Sequence, residues 1–210
     1  CILSPPVMSE GNGETHPLQH EWVLWEHAGG SKDPSKWKEN MKVLCRFNTI
    51  ERFWQYMNHI PKPADVFFDG DYRKKVGPEG KTIEEFSLFR RGIEPEWGDP
   101  QNASGGEWFC RQNFDGDALN MLWLNLVLAT IGGTIEESAA RNNGGGMDSH
   151  INGVRVVDKS KSFPMFRLEI WINTRDKAVK ESIREHMLDI ILDQVPFKKG
   201  SPNFQWKDHC

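Results

Sequence analysis

The sequence has no apolar run long enough to cross a bilayer, and its first 13 residues lack the apolar segment of a signal peptide. Its four cysteines, at positions 1, 45, 110 and 210, lack the close spacing that a zinc site requires. Thiols in a protein without a secretion signal are normally reduced. We therefore expect a cytoplasmic protein with no membrane anchor and no metal.

Motifs for catalysis are also missing. The sequence has no nucleophile elbow and no glycine-rich dinucleotide fingerprint, and no Gly-Lys-Ser/Thr follows the glycines at 144–146. Three histidines between positions 16 and 27 are interpreted as unrelated polar side chains rather than metal ligands. Paired acids such as Glu84-Glu85 are interpreted as solvated charge. We expect a protein that is not an enzyme and has no catalytic residue and no cofactor.

Positive charge is scarce, because 26 basic residues face 30 acidic ones and the net charge is −4. This balance excludes a generally basic nucleic-acid binder, so a nucleic acid would have to meet a local basic patch. One candidate cluster is formed by Arg155, Lys159, Lys161 and Arg167. Arginine suits phosphate because its guanidinium binds two oxygens at once. On a strand, Arg167, Glu169 and Trp171 would share one face.

The hydrophobic pattern predicts strands and helices in one domain. Runs with strand character lie at residues 21–25, 41–47, 86–89, 107–111, 154–157, 166–172 and 203–207. Helices are predicted at 49–59 with a capping box from Asn48, at 117–131 before Gly132-Gly133, and at 175–194 capped by Thr174. The fold class is therefore α+β, a single curved antiparallel sheet of about seven to eight strands with three helices on its convex face.

The domain organisation follows from the same pattern. Residues 1–15 are expected to form a disordered N-terminal tail, and residues 16–210 a single binding domain. Segments rich in Gly, Pro, Asn, Ser or mixed charge predict mobile loops near 62–81, 141–146 and 158–164.

Tryptophan is what the sequence has in excess, with nine against only two tyrosines. Two turn-like segments, 32–37 and 91–100, each carry one, namely Trp37 and Trp97. Two such rings can sandwich a flat ligand, and stacking on an aromatic ring is worth roughly 1–3 kcal/mol per base. A positively charged base would add a cation–π attraction of roughly 0.5–2 kcal/mol. The alternative is that Trp97 packs back onto the core, which composition alone favours.

With their neighbours, these residues resemble the translation initiation factor 4E family, the mRNA cap-binding proteins. The similarity runs from about residue 16 to about residue 194. Besides Trp22, Trp25, Trp37, Trp97 and Trp108, it rests on His16-Pro17-Leu18-Gln19, Phe53-Trp54, Asn58-His59-Ile60, Gly92-Ile93-Glu94-Pro95, Gly105-Gly106, Trp123-Leu124, Ile131-Gly132, Val154-Arg155 and Ile170-Trp171.

The resemblance implies a site for the 7-methylguanosine cap. Trp37 and Trp97 would sandwich the 7-methylguanine, and Trp171 would touch its N7-methyl group. Arg155 and Arg167 would bind the triphosphate, and the looser candidates for this role are Lys159 and Lys161. The family carries a Glu directly after the second stacking Trp that binds the guanine edge, but here that position is Gly98. Glu96, Asp99 or a shifted loop are the candidate substitutes.

The resemblance also implies a partner. An initiation factor 4G-like scaffold or a 4E-binding protein would dock a Tyr-x-x-x-x-Leu-apolar helix. The matching positions are His16, Pro17, Ile50, Trp54, Leu124, Asn125, Leu128, Ile131 and Gly132. From the residues alone, Trp54, Leu124 and Leu128 form one apolar patch suited to an amphipathic helix. The alternative is that Leu124 and Leu128 are ordinary core. Asn125 replaces a family Glu that pairs with a basic partner residue, so the partner consensus is expected to differ.

These observations predict a cap-binding translation initiation factor that recruits mRNA through a partner on its helical side. The alternative is a 4E-like interaction or repressor protein whose cap selectivity is altered at Gly98.

Overall fold

The computed structural model describes residues 15–29, 38–68, 74–76, 80–137, 149–193, 195 and 201–209. Several sequence-based predictions fall outside these ranges. They are the disordered tail apart from residue 15, the loop at 141–146, much of the 62–81 segment, and Trp37.

The described residues contain eight strands. They are β1 (Pro17–Ala28), β2 (Met41–Thr49), β3 (Lys75–Val76), β4 (Lys81–Arg90), β5 (Gly106–Gln112), β6 (Ile151–Asp158), β7 (Phe166–Ile172) and β8 (Gln205–Asp208). Seven of them form one antiparallel sheet in the order β2-β1-β4-β6-β7-β5-β8, and β3 pairs with the start of β4. The predicted α+β class with a single antiparallel sheet is confirmed.

Three longer helices match the three predicted ones. The α-helices with both ends described are α1 (Ile50–Met57), α2 (Pro63–Val66), α3 (Pro100–Ala103), α4 (Gly116–Ile131) and α5 (Lys177–Ile191), and residues 134–137 are helical as well. The short α2 lies within the segment expected to be a mobile loop, and its Val66 is buried. No helix among the described residues is both long and apolar enough to cross a membrane.

Strand alternation sorts the side chains between the two faces of the sheet. One face packs with α1, α4 and α5 in the main core, and its members include Leu24, Leu88, Val154, Leu168, Ile170, Phe53, Leu122 and Met187. The next residues along the same strands, such as Glu85, Arg155 and Trp171, therefore belong to the opposite face. The helices support the sheet from one side and leave the other side for the polar and aromatic groups of the candidate site.

Two predicted helix caps were wrong by one or two residues. Thr49, not Asn48, is the N-cap of α1, and its hydroxyl accepts a hydrogen bond from the Arg52 N–H at 3.3 Å. Asp176, not Thr174, caps α5, and its carboxylate accepts from the Val179 N–H at 2.9 Å. In both cases a second capping side chain lies close by in sequence, and the backbone geometry decides between them.

Two of the four cysteines lie among the described residues. Cys45 and Cys110 are free and buried, and burial raises the pKa of each thiol to about 12. Both are therefore protonated, unreactive core residues at neutral pH.

Gly153 on β6 allows β4 and the aromatic residues behind the site to pack closely. A Cβ at this position would lie 2.5 Å from the Leu88 carbonyl oxygen and 2.5 Å from Phe89 Cγ. We predict that Gly153→Ala lowers the free energy of unfolding by about 1–3 kcal/mol through overpacking. Urea unfolding measures this change. Gly98→Ala is the matched control, because nothing lies within 4 Å of its Cβ position. Equal stability of the two variants would contradict the prediction.

Candidate functional site

The Trp97 loop, residues 91–99, is held in one conformation by buried polar groups. The Asp99 carboxylate caps α3 and accepts from the Gln101 N–H and from the Glu94 N–H, both at 2.8 Å. Asn102 is fully buried, and its amide donates to the carbonyl oxygens of Glu94 at 2.8 Å and Glu96 at 2.9 Å. The loop is thus internally hydrogen-bonded, although 43% of Trp97 is exposed. An exposed indole on a rigid loop is available for stacking.

Lys38 connects this loop to the segment that follows Trp37. Its ammonium nitrogen lies 2.5 Å from Glu94 Oε2 and 3.6 Å from Glu96 Oε1. Because Lys38 is bonded to Trp37, this ion pair restrains the chain next to the first predicted stacking residue. Among the candidate carboxylates near Gly98, Asp99 is used as a helix cap, whereas Glu96 lies at the surface beside Lys38.

Strand β8 and the residue that follows it supply two contacts to Trp97 that the sequence analysis missed. The Lys207 ammonium lies 3.8 Å from the centroid of a Trp97 ring. The buried His209 imidazole lies nearly parallel to Trp97, with centroids 6.2 Å apart and planes at 24°. Its Nδ1 is 2.9 Å from the Asn102 carbonyl oxygen. The register Glu107↔Lys207 brings β8 to this place, and no motif in the sequence indicates it.

Trp171 has no exposed surface, so the predicted contact with a ligand methyl group is not available in this conformation. Its ring lies edge-on to Phe89 at 5.3 Å and against His209 at 4.3 Å. Its Nε1 donates to Glu169 Oε2 at 2.8 Å. Trp171 therefore forms an inner wall, and His209 lies between it and Trp97.

Arg155 and Arg167 do not form the free basic cluster that the sequence suggested. Arg155 pairs with Glu85 through two hydrogen bonds and lies 3.3 Å from Glu169. Arg167 pairs with Glu107, and its Nε lies 2.7 Å from Glu169 Oε1. We call these five residues the ion-pair cluster. Since three carboxylates oppose two guanidinium groups, both cations are already compensated.

Glu85 is not a solvated charge, so the interpretation of the pair Glu84-Glu85 was wrong for this residue. Glu85 is only 3% exposed and shares a strand face with Ser87, whose hydroxyl donates to it at 2.5 Å. Burial opposes ionisation of Glu85, but the charge and hydrogen bonds of Arg155 outweigh this, and the pKa lies below its usual value. Burial instead raises the pKa of Glu169, only partly offset by Arg155.

Lys159 and Lys161 follow β6 and are both exposed. Among the described residues, no carboxylate lies within ion-pair distance of either lysine. Partial burial, and then repulsion by Arg155, lower the pKa of Lys159. Its electrostatic interactions with Arg155, Glu169 and Glu85 place Lys159 beside the ion-pair cluster. The two lysines are therefore the predicted basic residues whose charge is not neutralised by a direct partner.

The Trp54 face, formed by Ile50, Trp54, Leu124, Asn125 and Leu128, lies on the helical side. Ile50 is 43% and Trp54 39% exposed, and a cavity of about 310 Å³ lies beside Trp54 and Leu124. Leu124 and Leu128 are only partly buried, so they belong to the surface as well as to the core.

The remaining predicted partner residues surround this face. His16 and Pro17 are exposed at the start of β1, and His16 Nδ1 lies 2.7 Å from Glu51 Oε1 on α1. Ile131 is buried and Gly132 caps α4. The Asn125 amide donates to the Ile191 carbonyl oxygen at 3.2 Å, so it binds the end of α5.

Comparison with known proteins identifies a family. The family described as Eukaryotic initiation factor 4E matches residues 17–209. Eukaryotic translation initiation factor 4E-2 of Schizosaccharomyces pombe is 35% identical over 81% of this chain and 59% of its own length. The Saccharomyces cerevisiae factor 4E is 32% identical over 77% of this chain. The match spans 64% of the yeast protein, so the chain covers less than two thirds of either relative.

Solved structures share the fold. Ascaris suum eIF4E-3, solved in complex with an m7G cap, has a TM-score of 0.70 at 24% identity, covering 94% of this chain and 93% of that chain. Caenorhabditis elegans eIF4E-3, in complex with the 4E-binding protein Mextli, has a TM-score of 0.69 at 22% identity over 93% and 94% of the two chains. Because the family match covers residues 17–209, this chain belongs to the eukaryotic initiation factor 4E family.

Proposed function

We propose that this protein binds the 7-methylguanosine cap of mRNA and delivers the mRNA for translation initiation in the cytoplasm. The observation that carries the proposal is the exposed Trp97 ring on an internally hydrogen-bonded loop, which forms an ion pair with Lys38, the residue directly after Trp37. Lys207 adds support, since its ammonium lies 3.8 Å from the ring centroid, in the position of a cation–π contact. The positively charged 7-methylguanine would use the same attraction while stacked between Trp37 and Trp97.

The residues of the cap site take different roles in this proposal. Lys159 and Lys161 bind the phosphates, because within the described part of the chain neither has a carboxylate at ion-pair distance. Arg155 and Arg167 hold the sheet face together beneath the phosphates and add to the local potential. Trp171 and His209 form the inner wall next to the methylated ring. Glu96 is the proposed acceptor for the guanine edge, since Asp99 is used by the loop itself.

A partner helix on the Trp54 face completes the proposed function. Exposed Ile50 and Trp54 beside partly buried Leu124 and Leu128 offer the apolar surface that an amphipathic Tyr-x-x-x-x-Leu-apolar segment requires. The partner would be a 4G-like scaffold or a 4E-binding protein, as in the Caenorhabditis elegans complex. Because the Asn125 amide binds the end of α5, a basic partner residue would have to pair elsewhere.

A second candidate function is an interaction or repressor protein with altered cap selectivity. The observation that favours it is Gly98, which stands where the family carries a Glu. Apart from its chain neighbours, no atom of the described residues lies within 4 Å of the Cβ position of Gly98, so no side chain packed there takes the place of that carboxylate.

The stacking role predicts the effect of removing either loop tryptophan. Trp97→Ala and Trp37→Ala should each weaken binding to m7GTP at least about ten-fold, because each loses one stacking face. Tryptophan-fluorescence titration and retention on a cap-analogue resin measure the effect. Trp54→Ala is the matched control, since it removes an exposed indole on the helical side and should bind the cap normally. The proposal would be contradicted if the wild-type protein bound m7GTP no more tightly than GTP.

The ion-pair cluster predicts that Arg155 acts through stability. Arg155→Gln should lower the free energy of unfolding at pH 7 by about 3–5 kcal/mol, because Glu85 and Glu169 stay buried with one cation fewer. The Arg155 pair depresses the pKa of Glu85 in the folded protein, so its stabilisation is lost as the pH falls through that pKa. The difference in the free energy of unfolding between the wild type and Arg155→Gln should therefore become smaller at acidic pH. Urea unfolding at a series of pH values measures this difference.

Lys159→Gln is the control for Arg155→Gln. It should change the free energy of unfolding by less than about 0.5 kcal/mol, as expected for an exposed side chain, while weakening m7GTP binding. A fully stable Arg155→Gln protein that binds the cap poorly would assign phosphate binding to Arg155 instead.

The Trp54 face predicts a separable second activity. Trp54→Ala should weaken binding of a Tyr-x-x-x-x-Leu-apolar peptide about ten-fold or more, as expected for a central interface tryptophan. Isothermal titration calorimetry measures the affinity, and Trp97→Ala should bind the peptide like the wild type. Equal losses in both variants would argue against separate sites.

A further inference from the structure

The loop that joins β6 to β7, residues 159–165, is closed by buried hydrogen bonds. The Lys159 N–H donates to the Met165 carbonyl oxygen at 2.8 Å. The buried Ser160 hydroxyl accepts from the Met165 N–H at 2.9 Å, and its own N–H donates to Asp158 at 2.9 Å. Asp158 also accepts from the Phe68 N–H at 3.1 Å. The base of this loop is therefore fixed to the sheet and to the segment after α2.

This β6–β7 loop presents an aromatic ring and two cations to solvent. Phe163 is 55% exposed, which makes it the most exposed large apolar side chain among the described residues. Lys159 and Lys161 lie on the same short loop and are exposed as well. Pro164 follows directly and restricts the backbone of Phe163 to extended conformations. Phe163 thus offers an exposed aromatic face on which a planar group can stack.

The strand register places the loop relative to the cap site. Along β6 and β7 the pairs run from Gly153↔Trp171, through Arg155↔Glu169, to Asp158↔Phe166. At about 3.3 Å per residue, the loop begins roughly 20 Å from the level of Trp171. The base site, the ion-pair cluster and the β6–β7 loop thus follow one another along the same strands.

We propose that the β6–β7 loop binds the first transcribed nucleotide, with its base stacked on Phe163 and its phosphates held by Lys159 and Lys161. This inference rests on the proposed function, because the cap base at Trp97 fixes the direction of the RNA. A lone aromatic ring stacks on any base, whereas lysines hold phosphate as point charges. The site therefore recognises the presence of a nucleotide after the cap, whatever the identity of its base.

The test compares m7GTP, which lacks the second nucleoside, with the dinucleotide m7GpppA. Phe163→Ala should weaken m7GpppA binding about five-fold or more and leave m7GTP binding within about two-fold. Phe163→Tyr should retain the wild-type affinity, because it keeps the ring. Phe163→Leu should behave like Phe163→Ala, because an aliphatic side chain does not stack. Fluorescence titration of all four proteins with both nucleotides provides the comparison.

The outcomes separate this inference from the function on which it rests. A loss confined to m7GpppA supports the stacking site. Unchanged m7GpppA affinity, an equal loss for both nucleotides, or a loss confined to the partner peptide overturns it, while wild-type m7GTP binding leaves the proposed function standing. Failure of the wild type to bind m7GTP overturns the proposed function itself.

Discussion

The ion-pair cluster is the constraint on which the open face of the sheet depends. Buried charges are costly unless each is paired, and these five come from four different strands. Glu85 lies on β4, Glu107 on β5, Arg155 on β6, and Arg167 and Glu169 on β7. The ion pairs among these residues therefore form only when the four strands are paired in this register. The cluster gives the face a rigid polar centre that an apolar core could not provide.

Under the proposed function, recognition takes place at the two ends of this face. At one end the exposed indole of Trp97 lies next to Lys207 and His209. At the other end the β6–β7 loop carries Lys159 and Lys161, for which the described residues supply no carboxylate at ion-pair distance. The Trp54 face lies across the sheet, where the main core separates it from both. Because the Trp54 face lies on α1 and α4, whereas the proposed cap site lies on the opposite face of the sheet, a cap ligand and a partner helix would contact different side chains.

The elements of the fold were predictable because strands and helices differ in hydrophobic period, and tertiary contacts did not override that pattern. The caps at Thr49 and Asp176 were missed because neighbouring residues have the same capping chemistry. Composition alone favoured burial of Trp97, and its exposure was expected only from its pairing with Trp37 and from the resemblance to the 4E family. The carboxylate partners of Arg155 and Arg167 required the pairing of distant strands, which one sequence does not contain. Strand parity alone, however, would have placed Glu85 on the same side as Ser87.

Gly98 determines how the proposed cap site can discriminate. Asp99 is consumed by the α3 cap, and Glu94 and Glu96 both lie near Lys38, which competes for their oxygens. The carboxylates of this loop are thus weakened as acceptors for a guanine edge. The ring of Trp97, in contrast, is in contact with a cation already. Under the proposed function, discrimination between methylated and unmethylated guanine therefore depends mainly on the positive charge of the base and less on hydrogen bonds to its edge.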